Sequence, residues 1–165
     1  MCSALARRLR RQRTPTQDVE YAIDQLVEVA VRALSPGVND PFTAIACIDW
    51  LGSALIRLAN RTIPSGERFD DKGRLRLIAN TTDFAGFAAS ALNQIRQYGS
   101  KSVAVTIRML DMLTRIGRKV PRSSDRKVLL EHATWIRDDG VACAVNESDK
   151  REIEMRFTAA AKALT

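Results

Sequence analysis

Histidine occurs once and cysteine three times in these 165 residues. Cys2, Cys47 and Cys143 are odd in number, far apart and never spaced as C-x-x-C, which argues against a disulfide framework or a thiolate zinc site and fits a reducing compartment. His132 has no second histidine or nearby cysteine to complete a metal set, so a core histidine with its hydrogen bonds satisfied is expected. No Gly-rich phosphate loop, G-x-S-x-G elbow or H-E-x-x-H occurs, and no catalytic residue, cofactor or metal is expected. The positively charged N-terminus is not followed by the apolar run of a signal peptide. Low-complexity tracts, fixed-period repeats and interdomain linkers are absent too.

What is present describes a helical globular chain. Hydrophobic residues make up 45% and charged residues 27%, enough for one sizeable core. The net charge of +7 is unevenly placed. Arg7, Arg8, Arg10, Arg11 and Arg13 stand with no acid among the first 17 residues, which leaves 21 basic against 19 acidic side chains elsewhere. Residues 1–15 therefore read as a basic arm, and 16–165 as one helical domain. Arg115, Arg118, Lys119, Arg122, Arg126 and Lys127 form a second basic cluster around Pro121. Either cluster could meet phosphate, on nucleic acid or on the lipid headgroups of an anionic membrane surface, or be no more than a solvated basic surface; neither contains aromatics to stack bases, so nucleic acid is the weaker partner.

Hydrophobic spacing at three and four residues predicts an all-α bundle of about six helices around a central apolar helix at about 41–60. A small hairpin or loop insertion falls at about 62–80, where Leu75 and Leu77 alternate with Arg74 and Arg76. Thr16 can cap the first helix, in which Glu28 and Arg32 pair on the surface. Pro36 and Gly37 end it. Asn39 or Asp40 can cap the next, whose first turn accommodates Pro41. From Phe42 to Ala59 only Asp49 and Arg57 are charged, so that helix is expected to be wrapped by the others. It is also the one membrane-span candidate, although Asp49 at its centre would cost roughly 2.5–3.5 kcal/mol on insertion. Further helices open at Thr82 or Asp83, at Ser102, at Ser124 with Asp125, and at Asn146. Asp111 and Arg115 are expected to pair on the surface of the fourth, and Gly140 to kink or interrupt the fifth.

A carboxylate at Asp49, amid Cys47, Ile48, Trp50 and Leu51, must find a partner or shift its pKa, and an arginine from a neighbouring helix would satisfy it. Asn39 and Asp40 read as caps. Together with Thr43 and Asp49 they are also candidate ligand-binding residues for a polar small molecule or ion, while the five arginines of the arm are candidates for anionic-surface binding.

Arg13-Thr, Gln17-Asp, Gln25-Leu-Val, Ser35-Pro-Gly-Val-Asn-Asp-Pro-Phe-Thr-Ala, Cys47-Ile-Asp-Trp-Leu-Gly and Arg74-Leu-Arg-Leu carry a resemblance. The chain resembles the soluble C-terminal part of the bacterial predicted membrane proteins grouped as domain of unknown function 2254. Most of the specificity lies between Arg13 and Gly52. The resemblance implies an N-terminal half of several transmembrane helices that this sequence does not carry, as in a partial reading frame or a membrane-free relative. It implies no established activity. Two functional expectations follow: a non-enzymatic membrane-proximal module in assembly or regulation, cytoplasmic and membrane-associated, or a small-molecule or ion site built on the Ser35–Ala44 turn and Asp49. A homo-oligomer is compatible with either.

Overall fold

The computed structural model describes residues 18–63, 65–79 and 81–165. The basic arm, with Arg7, Arg8, Arg10, Arg11 and Arg13, and the cap proposed at Thr16 lie outside the described residues. Six helices and one two-stranded hairpin follow in chain order: α1 (Val19–Ala33), α2 (Pro41–Ala59), β1 (Glu67–Phe69), β2 (Leu75–Ile78), α3 (Phe84–Gly99), α4 (Val103–Gly117), α5 (Ser123–Cys143) and α6 (Glu147–Leu164). The all-α bundle with its small insertion is thus as the sequence predicts.

Local chemistry sets most helix starts. Asp18 caps α1 through the Tyr21 amide, Asp40 caps α2, Asp83 caps α3 through the Gly86 amide, and Asn146 caps α6 through the Ser148 amide. Ser102 and Arg122 occupy the equivalent positions of α4 and α5 without a side-chain cap bond, so α5 starts at Ser123 and not on a Ser124 cap. In the insertion, Asp70 Oδ1 accepts the amides of Lys72 (3.0 Å) and Arg74 (2.9 Å), which closes the turn between antiparallel β1 and β2. Every strand residue is exposed, so the hairpin is held by its ladder and its turn.

α1 packs on α2 and α3, α2 on α1, α3 and α4, and α6 on α4 and α5, while α5 also meets α3 and α4. α2 therefore has three helical neighbours, yet it is not wrapped as expected. Ala44, Cys47, Ile48, Leu51, Gly52, Leu55 and Ala59 are buried, whereas Phe42, Ala46, Trp50, Ser53 and Arg57 form an exposed stripe. Periodicity records how apolar a face is; it does not record what covers it. The more enclosed helix is α4, which buries Val105, Thr106, Met109, Leu110, Met112, Leu113 and Ile116 and touches four other helices. α5 runs through Gly140 unbroken, neither kinked nor interrupted there as expected, and the missing side chain lets α4 pass close by: a Cβ there would lie 2.5 Å from Thr106 Cγ2.

Candidate functional site

The Ser35–Ala44 motif is a tight connection between α1 and α2. The Val38 and Asn39 amides donate to the Ser35 carbonyl (3.0 and 2.8 Å), and the Asp40 amide returns to the Ala33 carbonyl (2.8 Å). Asn39 takes a left-handed φ of 47°, a region that asparagine enters more readily than other side chains bearing a Cβ. Asp40 Oδ1 accepts the Phe42 and Thr43 amides (3.1 and 3.2 Å), and Oδ2 accepts the Thr43 hydroxyl (2.5 Å). The Thr43 hydroxyl, then the Thr43 amide, and with them the Phe42 amide, hold the Asp40 carboxyl below its ordinary pKa against an opposing desolvation. Asn39, Asp40 and Thr43 are thereby brought together, each with a conformational role of its own. Asp49 is not with them, since nine residues of helix span about 13.5 Å.

Asp49 instead faces α4. Arg108 grips it side-on through one edge of the guanidinium, Nε to Oδ1 at 2.9 Å and Nη2 to Oδ2, and Arg115 Nη2 adds a bond to Oδ1 at 2.7 Å. Arg108 and Arg115 are seven residues apart, two turns along one helix face, so a single carboxylate can reach both. Partial desolvation pushes the Asp49 pKa up, but the Arg108 bond and the two positive charges outweigh it, and the net shift is downward. The Asp49 bond correspondingly raises the Arg108 pKa. The expected arginine from a neighbouring helix is thus present twice. The expected Asp111–Arg115 surface pair is not formed: Arg115 turns to Asp49, and Asp111 pairs with Arg156 of α6 at 3.3 Å.

Gly52 completes this joint, since a Cβ there would sit 2.5 Å from Met112 Cγ. Cys47, Ile48 and Leu51 are buried beside it, and burial pushes the Cys47 thiol pKa up, away from reactive thiolate. The Cys47–Gly52 motif is therefore the α2 side of a close, ion-bridged contact with α4. Trp50 stands apart from it, 69% exposed.

Elsewhere, His132 is buried, with its ring edge-on to Trp135 at 4.9 Å. Its Nδ1 has no hydrogen-bond partner among the described residues, so it is a core histidine but not a fully satisfied one. Desolvation, then the Arg96 charge, lowers its pKa against a weaker opposing pull from Glu131. In the second basic cluster Arg122 is tied to Asp125 at 2.7 Å, while Arg118 and Lys119 are exposed. Among the described residues no three His, Cys, Asp or Glu side chains are grouped to hold a metal.

These features define a class: an all-α bundle whose polar motifs build a turn and a helix joint, with no catalytic set assembled among the described residues. The sequence profile of the predicted membrane proteins of DUF2254 matches residues 4–115, and the chain belongs to that family. It is 35% identical over 115 residues to the uncharacterized proteins Rv1290c of Mycobacterium tuberculosis and Mb1321c of Mycobacterium bovis. That alignment covers 70% of this chain but only 22% of each relative, so the chain spans well under half the length of the curated relatives it matches. No solved structure matches it significantly. The matched segment includes the Ser35–Ala44 turn and both sides of the Asp49 joint.

Proposed function

We propose that this chain is a non-enzymatic, membrane-proximal module that serves the assembly or regulation of a membrane protein. The observation that carries this reading is membership in a family of predicted membrane proteins by a helical chain whose aligned 115 residues cover only 22% of its relatives' length. The carboxylates that could hold a ligand support it, because both are already engaged: Asp40 in its helix cap and Asp49 in its arginine pair. α2 is long and apolar enough to cross a membrane, but its packing on three helices and the Asp49–Arg108 bond favour a bundle beside the bilayer over a span within it.

Flotation of the full chain with vesicles tests the reading. The chain should float with anionic vesicles at low salt, detach as salt rises, and ignore neutral ones. Replacing Arg7, Arg8, Arg10, Arg11 and Arg13 with glutamine should remove most of the binding. A chain that ignores anionic vesicles, or binds neutral ones equally, would overturn the proposal. So would a melting-temperature rise with a small molecule or ion that Asp40→Ala or Asp49→Ala abolishes, since a site on the folded state stabilises it by mass action.

A further inference from the structure

The outer stripe of α2 repeats at helical spacing: Phe42, Ala46, Trp50, Ser53 and Arg57 are all exposed, Phe42 by 82% and Trp50 by 69%. Phe42 and Trp50 thus place two large aromatic side chains in water on one helix face, where contiguity rather than exposure alone marks a patch. Two shallow grooves flank this stripe and share Ser53. One, toward α1, is lined by Leu26, Trp50, Ser53, Ala54 and Arg57. The other, toward α4, carries Arg115, Arg118 and Lys119 at its rim. Neither lining contains an aspartate or glutamate, and Asp49, the acid nearest in sequence, is neutralised by Arg108 and Arg115. Asn60 Nδ2 donates to the Lys119 carbonyl at 3.2 Å, which fixes the basic end of α4 beside the end of α2. By contrast, the groove between α1 and α3 is lined with Asp24 and Glu28 as well as Arg32.

We propose that the Phe42–Trp50 face of α2, with Arg57, Arg118 and Lys119 along its edge, is the surface by which the bundle docks on an anionic phospholipid bilayer. The proposal rests on the membrane-side reading above and adds the face and orientation. Charge complementarity selects the occupant: an apolar strip edged by cations that form no ion pair among the described residues matches the acyl–headgroup boundary of an anionic leaflet. Trp50 and Phe42 would sit at headgroup depth, where amphipathic aromatic rings are favoured, and the basic edge would meet phosphate. The arm recruits by charge alone, whereas this face buries a defined ring. The two contributions are therefore separable.

The sequence has two tryptophans, so in the full-length Trp135→Phe protein Trp50 is the sole tryptophan, and excitation at the red edge of its absorption, beyond that of tyrosine, reads it alone. With vesicles of anionic phosphatidylglycerol mixed into phosphatidylcholine, Trp50 emission should shift to the blue and be quenched by lipids brominated near the headgroup. Trp50→Ser in the wild-type background should weaken flotation by about 10-fold. Arg118→Gln with Lys119→Gln should weaken it by about 5-fold per residue, with circular dichroism unchanged. Vesicle binding with no change in Trp50 emission, and full binding by both variants, would overturn this face while leaving the arm-driven reading standing. Absence of all binding would overturn both. A blue shift that depends on protein concentration and not on lipid would assign the face to a second copy of the chain and overturn the bilayer, as would equal Trp50 burial on neutral vesicles.

Discussion

Asp49→Ala removes one carboxylate that two arginines share, and the cost can be worked from the exposure of the three groups. A charge-assisted hydrogen bond contributes about 1.5–3 kcal/mol when well shielded, and breaking a truly buried ion pair costs about 3–5 kcal/mol. Here the side chains of Asp49, Arg108 and Arg115 are 32%, 37% and 51% exposed, so water screens the pair and the stranded arginines can turn outward. The expected loss is therefore about 1–2 kcal/mol, or about 2–8 °C in Tm for a chain of this size. Urea unfolding followed by circular dichroism measures it. A double-mutant cycle with Arg108→Ala should return a coupling of about 0.5–1 kcal/mol, smaller in 1 M salt. The folded pKa lies below the ordinary carboxylate value of 3.8, so the contribution is complete above that value and vanishes as pH falls beneath it. A loss under about 0.3 kcal/mol, or zero coupling, would show that the Asp49–Arg108 contact does not hold α2 to α4.

Leu55, fully buried in α2, should cost about 2–5 kcal/mol when cut to alanine, measured by the same unfolding curves; a loss under about 1 kcal/mol would mean that this face of α2 is not in the core. Asp40→Ala should lower Tm, and Asp40→Asn, which can still accept the Phe42 and Thr43 amides, should restore most of it; equal Tm values for all three proteins would remove the cap. His132 has a folded pKa below its ordinary 6.5, so the unfolded chain binds the proton more tightly and stability should fall as pH drops below 6.5 and level off above it. Comparing unfolding at pH 5 and 7 for the wild type and His132→Leu isolates this slope, and an unchanged difference in the variant would place its origin elsewhere.

The local structure was decided by the sequence alone. Caps and periodicity act within about four residues, so Asp40 with Pro41, Asp83 and Asn146 announce helix starts wherever those helices end up. The family was legible for a related reason, because the Ser35–Ala44 turn and the Cys47–Gly52 stretch are contiguous motifs. Even the need for an arginine at Asp49 could be read, since a carboxylate on an apolar helix requires a partner. Which arginine answers could not be read. Arg108 and Arg115 lie 59 and 66 residues away from Asp49, and only the packing of α4 on α2 brings them to it and takes Arg115 from Asp111. The same packing decided that α2 keeps Phe42 and Trp50 in solvent while α4 is enclosed. An apolar side chain has the same preference for burial whether or not a neighbour arrives, and the neighbour is a property of the whole fold.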